Sequence, residues 1–258
     1  MQIKTPPEKQ LTKSENRELR MGIFDHLEEL RQRVLRSFIA LVLAVAVGII
    51  LADPLLNILL EPYRSINPDE ARRLLVLGPT GAVVNYFRVG MLAGSIIAVP
   101  FVTYQIMMFV IPGLTTKERR YIFLTLPVIT GLFITGATFA WYVLMPPAIS
   151  FLEGFQSGVF RAEWAADEYI GFITALLFWM GVAFELPFVI FVLSLMGFVT
   201  ARSLVNHWRI AVVLSSVAAA VITPTVDPVN MMLVMAPLLG LYVISIGLAV
   251  VGRRIAGR

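Results

Sequence analysis

Three glutamates stand where a carboxylate needs a reason. Glu29 lies in HLEELRQRV (residues 26–34), Glu118 in PGLTTKERR (112–120) and Glu185 in GVAFELPF (181–188). Around the first, Phe24, Leu27, Leu30 and Val34 recur at helical spacing, which predicts an amphipathic helix. Asp25, with Glu28 three residues on, can cap that helix, and Glu29 and Arg33 form an i,i+4 pair. Around the second, Pro112 and Gly113 end an apolar segment, and Thr115 followed by Glu118 fits a capping box. Two readings stay open for both glutamates. They are ordinary caps and surface pairs, or they face one guanidinium ligand, for which a carboxylate pair supplies charge-assisted, bidentate hydrogen bonds.

The third glutamate is inside an almost wholly apolar stretch, Ile170 to Phe198. An ionisable residue within a span costs about 2.5–3.5 kcal/mol on insertion scales, so it asks for a function. Pro187 has no N–H for the carbonyl of Ala183 and favours a kink there. Gly171, Thr174, Phe178, Gly181 and Glu185 share one helix face. Small residues on that face permit close helix approach, and Glu185 becomes a hydrogen-bonding point for a partner helix or trapped water. The bland alternative is a glutamate bonded to neighbouring backbone.

Catalytic signatures are missing. The two histidines, His26 and His207, read as interfacial, and there is no HExxH, GxSxG, phosphate loop or metal-ligand cluster. With no cysteine, thiol chemistry is excluded. No cofactor and no metal are expected, nothing suggests nucleic-acid binding, and the chain reads as a non-enzyme.

The elements that position these residues follow from composition. Of 258 residues, 58% are hydrophobic and 15% charged, with a mean hydropathy of +0.80. That is the profile of an all-α polytopic membrane protein. Six apolar segments fall at roughly 34–52, 82–111, 121–145, 169–196, 209–223 and 229–251. The fifth is short of the roughly 20 residues a span needs, so it must thin the bilayer locally or be shielded by other protein. Pro224 and Pro228 in TPTVDP reverse the chain after it. Sixteen of the 21 Lys and Arg flank one side of these spans and four the other, with Arg88 at a span edge. That asymmetry places both termini in the cytoplasm. The long external segments cover about 53–80 and 146–168; the second reads as a short helical cap or as aromatic-belt anchoring. Residues 1–20 are polar and read as a disordered extension without a cleavable signal peptide, ahead of one membrane domain over 21–258.

Four stretches in order carry a family resemblance: HLEELRQRV (26–34), YQIMMFVIPGLTTKERR (104–120), FELP (184–187) and TPTVDPVNMM (223–232). They resemble the TatC family, the multispanning core of the twin-arginine protein translocase, over nearly the whole chain from Phe24. The resemblance implies six transmembrane helices in a concave, cup-like arrangement, with both termini cytoplasmic and a short fifth span. It implies that Glu29, Glu118, Phe109 and Pro112 help bind twin-arginine signal peptides of folded cargo. It implies that Glu185 contacts TatA- and TatB-type single-span subunits during translocon assembly. Pro62 matches a proline of the first external loop, Pro100 and Gln105 match second-span positions, and Pro187 belongs to the FELP motif. It further implies transport driven by the proton-motive force, a prokaryotic-type cytoplasmic membrane and a homo-oligomer within the complex. One departure stands out: many members carry Gln just after the TP turn, where this chain has Asn230 and Met231.

Overall fold

The computed structural model describes residues 13–66, 74–110, 125–157, 159, 164–223 and 227–256. They are nearly all helical. Helix α1 covers Lys13–Ile50, and two short helices follow, α2 (Ala52–Leu59) and α3 (Glu61–Ile66). Helix α4 is Gly81–Val110, and α5 is Thr125–Phe139. One π-turn, Ala140–Leu144, joins α5 to α6 (Met145–Gly154). Then come α7 (Ala166–Leu195), α8 (Ala201–Asn206), α9 (Trp208–Ile222) and α10 (Pro228–Ile255). Among the described residues five helical stretches are long and apolar enough to cross a membrane, and α9 is a shorter apolar helix of 15 residues. The chain is a multi-span membrane protein whose six spans form a cup.

Helix α1 lies along α4 in the longest seam of the molecule. Its cause is a glycine contact. A Cβ on Gly48 would fall 2.2 Å from the carbonyl oxygen of Gly90 and 2.5 Å from the amide nitrogen of Gly94. One on Gly94 would fall 2.4 Å from Cα of Val45. Gly90 and Gly94 form a GxxxG pair, and backbones approach closely because nothing projects between them.

The core lies toward the end of the molecule that carries α2 and α3, where Tyr169, Met145, Ile149, Ile173 and Met180 are almost wholly buried. Tyr63, Trp164 and Tyr169 cluster there, and the Tyr169 hydroxyl donates to the carbonyl of Leu59 at 2.9 Å. Among the described residues one parallel bridge ties the segment before α4 to the segment before α7. The Leu75 amide donates to Trp164 at 3.1 Å and the Ala166 amide to Leu75 at 2.7 Å.

Several expectations change here. The first helix begins at Lys13, so Asp25 lies within it and is not its cap. A cap needs a non-helical start, whereas the Glu-, Arg- and Leu-rich residues upstream continue the helix. The third span runs on to Gly154, so the external segment is not a separate cap from residue 146. Pro146 and Pro147 have no N–H for the carbonyls of Tyr142 and Val143, and the π-turn widens the helix where those bonds are lost. The expected fifth span, 209–223, coincides with α9 within one residue. Its Ile210, Val213, Leu214, Val217 and Val221 are exposed, so the chain does not shield this short helix itself.

Candidate functional site

The amphipathic stretch of α1 around His26 and the last turn of α4 meet. The rings of His26 and Phe109 stack with centroids 4.4 Å apart and planes 14° apart. His26 Nδ1 is also 3.8 Å from Glu29 Oε2. On its other side Glu29 accepts from Arg33 Nε at 3.0 Å, with Nη2 on the same oxygen, so the expected i,i+4 pair forms. Glu29 keeps about a third of its side-chain surface in the open (34%), so a ligand can still reach it. The helical period that places Leu27, Leu30 and Val34 on one face leaves all three exposed. That face is available to lipid, while His26 packs on Phe109 of α4 and holds Glu29 beside it.

Structure thus brings together Glu29 and Phe109, two of the four residues the resemblance assigns to peptide binding. The other two, Glu118 and Pro112, lie outside the described residues, as does the Thr115 capping box. Pro62 is in the first turn of α3, next to buried Tyr63, and its carbonyl accepts from Ser65 Oγ at 2.8 Å. Pro100 is inside α4 and Pro187 inside α7, which runs through it as one helix. Gln105 is buried with no hydrogen bond to its Oε1 among the described residues, and so is Asn230 Oδ1.

Glu185 is half-buried and has no hydrogen bond or ion pair among the described residues. The small-residue face that carries it is occupied differently from the expectation. A Cβ on Gly181 would fall 2.6 Å from the Phe133 ring, and one on Gly136 would fall 2.5 Å from the carbonyl of Met180. The close approach is therefore used by α5 of the same chain. Farther out, Gly171 makes room for the Arg88 guanidinium, where a Cβ would lie 2.9 Å from Nη1. Neither the GxxxG seam nor the Arg88 cluster was part of the sequence reading. The first was legible as Gly-x-x-x-Gly at 90–94. The second shows in sequence only as an arginine seven residues into a span.

Comparison with known proteins gives one answer. The family model described as Sec-independent protein translocase protein (TatC) matches residues 25–237. A chloroplastic Sec-independent protein translocase protein TATC from Pisum sativum is 36% identical over 86% of this chain and 62% of its own length. The Sec-independent protein translocase protein TatC of Synechocystis sp. is 34% identical over 89% of this chain and 88% of its own. A crystal structure of a twin-arginine translocase receptor, TatC, superposes with a TM-score of 0.80 at 33% identity, covering 90% of this chain and 100% of that one. The chain therefore spans somewhat less than two thirds of the chloroplast relative and nearly all of the bacterial one.

Proposed function

Because the chain belongs to the TatC family of Sec-independent protein translocase proteins, we propose that it is the signal-peptide receptor of its translocon. A translocase membrane subunit of this kind is not an enzyme. Glu29 and Glu118 bind the paired arginines of a folded client's signal peptide at the cytoplasmic surface. Phe109 and Pro112 shape the same loop, and the peptide's apolar region lies along the concave face. Glu185 then contacts TatA- and TatB-type subunits, and the proton-motive force drives transport. Both termini face the cytoplasm of a prokaryotic-type cell, in keeping with the Lys and Arg asymmetry.

The observation that carries this reading is the His26–Phe109 stack beside Glu29. Two distant sequence motifs converge on one accessible carboxylate. The test is binding of a twin-arginine signal peptide to the purified chain, against the same peptide with Lys-Lys. A hydrogen bond to a charged group contributes about 1.5–3 kcal/mol. Lysine cannot make the second bond of a bidentate pair, so the Lys-Lys peptide should bind at least about ten-fold more weakly. Equal affinity for the two peptides refutes recognition by these carboxylates.

A further inference from the structure

Between α4, α7 and α9, on the external half, lies an open cavity of about 820 Å³. Its floor is mostly apolar, with Met91, Phe172, Phe178 and Val221, and its upper wall carries Arg88. Arg88 Nη1 donates to the Asp167 carbonyl at 2.9 Å and weakly to Asn85 Oδ1 at 3.4 Å. No carboxylate reaches ion-pair distance of it among the described residues, where the ion pairs all lie on α1. The nearest candidate is engaged elsewhere. The Asp167 carboxylate accepts from Asn85 Nδ2 at 2.7 Å and sits over Gly81 at the start of α4, where free amides and the helix dipole favour an anion. Among the described residues Arg88 is thus a cation without an ion-paired carboxylate at the head of an apolar groove, with guanidinium donors left for an anion.

Glu168 completes the pattern. It is exposed and lines the same cavity. Gly171, one helical turn deeper on α7, touches the Arg88 guanidinium, so Glu168 lies about 4–5 Å farther out than Arg88. From the membrane interior outward, the order is apolar floor, cation, anion. A phospholipid presents the complementary order: acyl chain, phosphate, ammonium.

We propose that this groove holds one phospholipid whose headgroup joins a phosphate to a primary ammonium. The phosphate pairs with Arg88 in the fork geometry a guanidinium offers. The ammonium pairs with Glu168, and one acyl chain lies over Phe172 and Phe178. This site does not depend on the signal-peptide reading, since it shares no residue with Glu29 or Phe109.

Native mass spectrometry of the full chain, released from mixed micelles of phosphatidylethanolamine, phosphatidylcholine and phosphatidylglycerol, tests the proposal. Wild type should retain one phosphatidylethanolamine at least about ten-fold in preference to the other two, a gap of about 1.4 kcal/mol. Arg88→Gln should lower retention of all three by a similar factor. Glu168→Gln should lower phosphatidylethanolamine alone, to the level of phosphatidylglycerol. Ala175→Leu, which fills the floor and keeps every charge, should release the lipid with the far-ultraviolet dichroism unchanged, so a misfolded Arg88 variant does not leave the question open. The proposal is overturned if Arg88→Gln or Ala175→Leu retains lipid as wild type does. It is also overturned if retention follows lipid charge alone in every variant, or if millimolar inorganic phosphate displaces the lipid.

Discussion

Replacing Gly48 by alanine should open the longest seam of the molecule. The new Cβ would lie 2.2 Å from the Gly90 carbonyl oxygen and 2.5 Å from the Gly94 nitrogen. Ordinary carbon–oxygen contact begins near 3.3 Å, so α1 must withdraw by about 1 Å. Both obstacles are backbone, and no rotamer change relieves them. Overpacking of this kind costs about 1–3 kcal/mol. Alanine's better helix propensity offsets up to about 1 kcal/mol of that. Gly247→Ala supplies the reference, because nothing lies within 4 Å of a Cβ there. It gains the propensity without the clash, so the difference between the two alanines isolates the seam at about 1–3 kcal/mol. Reversible unfolding in mixed detergent micelles, followed by circular dichroism, measures it. If Gly48→Ala unfolds at the same detergent fraction as Gly247→Ala, the seam is not held by backbone contact and the reasoning fails.

Two further outcomes follow from the packing and the caps. Phe133→Ala should destabilise the chain by about 3–5 kcal/mol. Adding Gly181→Ala should recover part of that, since its Cβ would enter the space left by a ring only 2.6 Å away; strict additivity in this double-mutant cycle would contradict the contact. Asp227→Ala should cost about 1 kcal/mol in the same unfolding assay, because Asp227 Oδ1 caps α10 through the Asn230 amide at 2.7 Å. Asp227→Asn, which keeps the accepting oxygen, should lose less than half of that, and equal losses would remove the capping role.

What the sequence made legible is what depends on local period and composition. The short fifth helix, the Glu29–Arg33 pair and six apolar segments came from spacing alone. The meeting of Glu29 with Phe109 came from the family resemblance, since the two are eighty residues apart. The unread features depend on tertiary partners. Gly181 looked like a surface for another subunit, but only the fold reveals that Phe133 fills it. Asp25 met every local rule for a cap, yet nothing upstream stopped the helix from extending to Lys13. Arg88 registered as an edge charge, while its carbonyl partner at Asp167 is invisible to any motif.

The exposed flank formed by α9 has a mechanical consequence. Fifteen residues rise about 22 Å, some 8 Å less than a hydrocarbon core of about 30 Å. At fractions of a kcal/mol per ångström, the lipids along that flank carry an elastic load of about a few kcal/mol. The neighbouring α7, with twice as many residues, imposes no such compression. The protein therefore sits in its membrane under lopsided tension. Lipid tail length becomes a control on its energy, acting on one side only, and shorter tails relax it without touching a single side chain of the proposed peptide site.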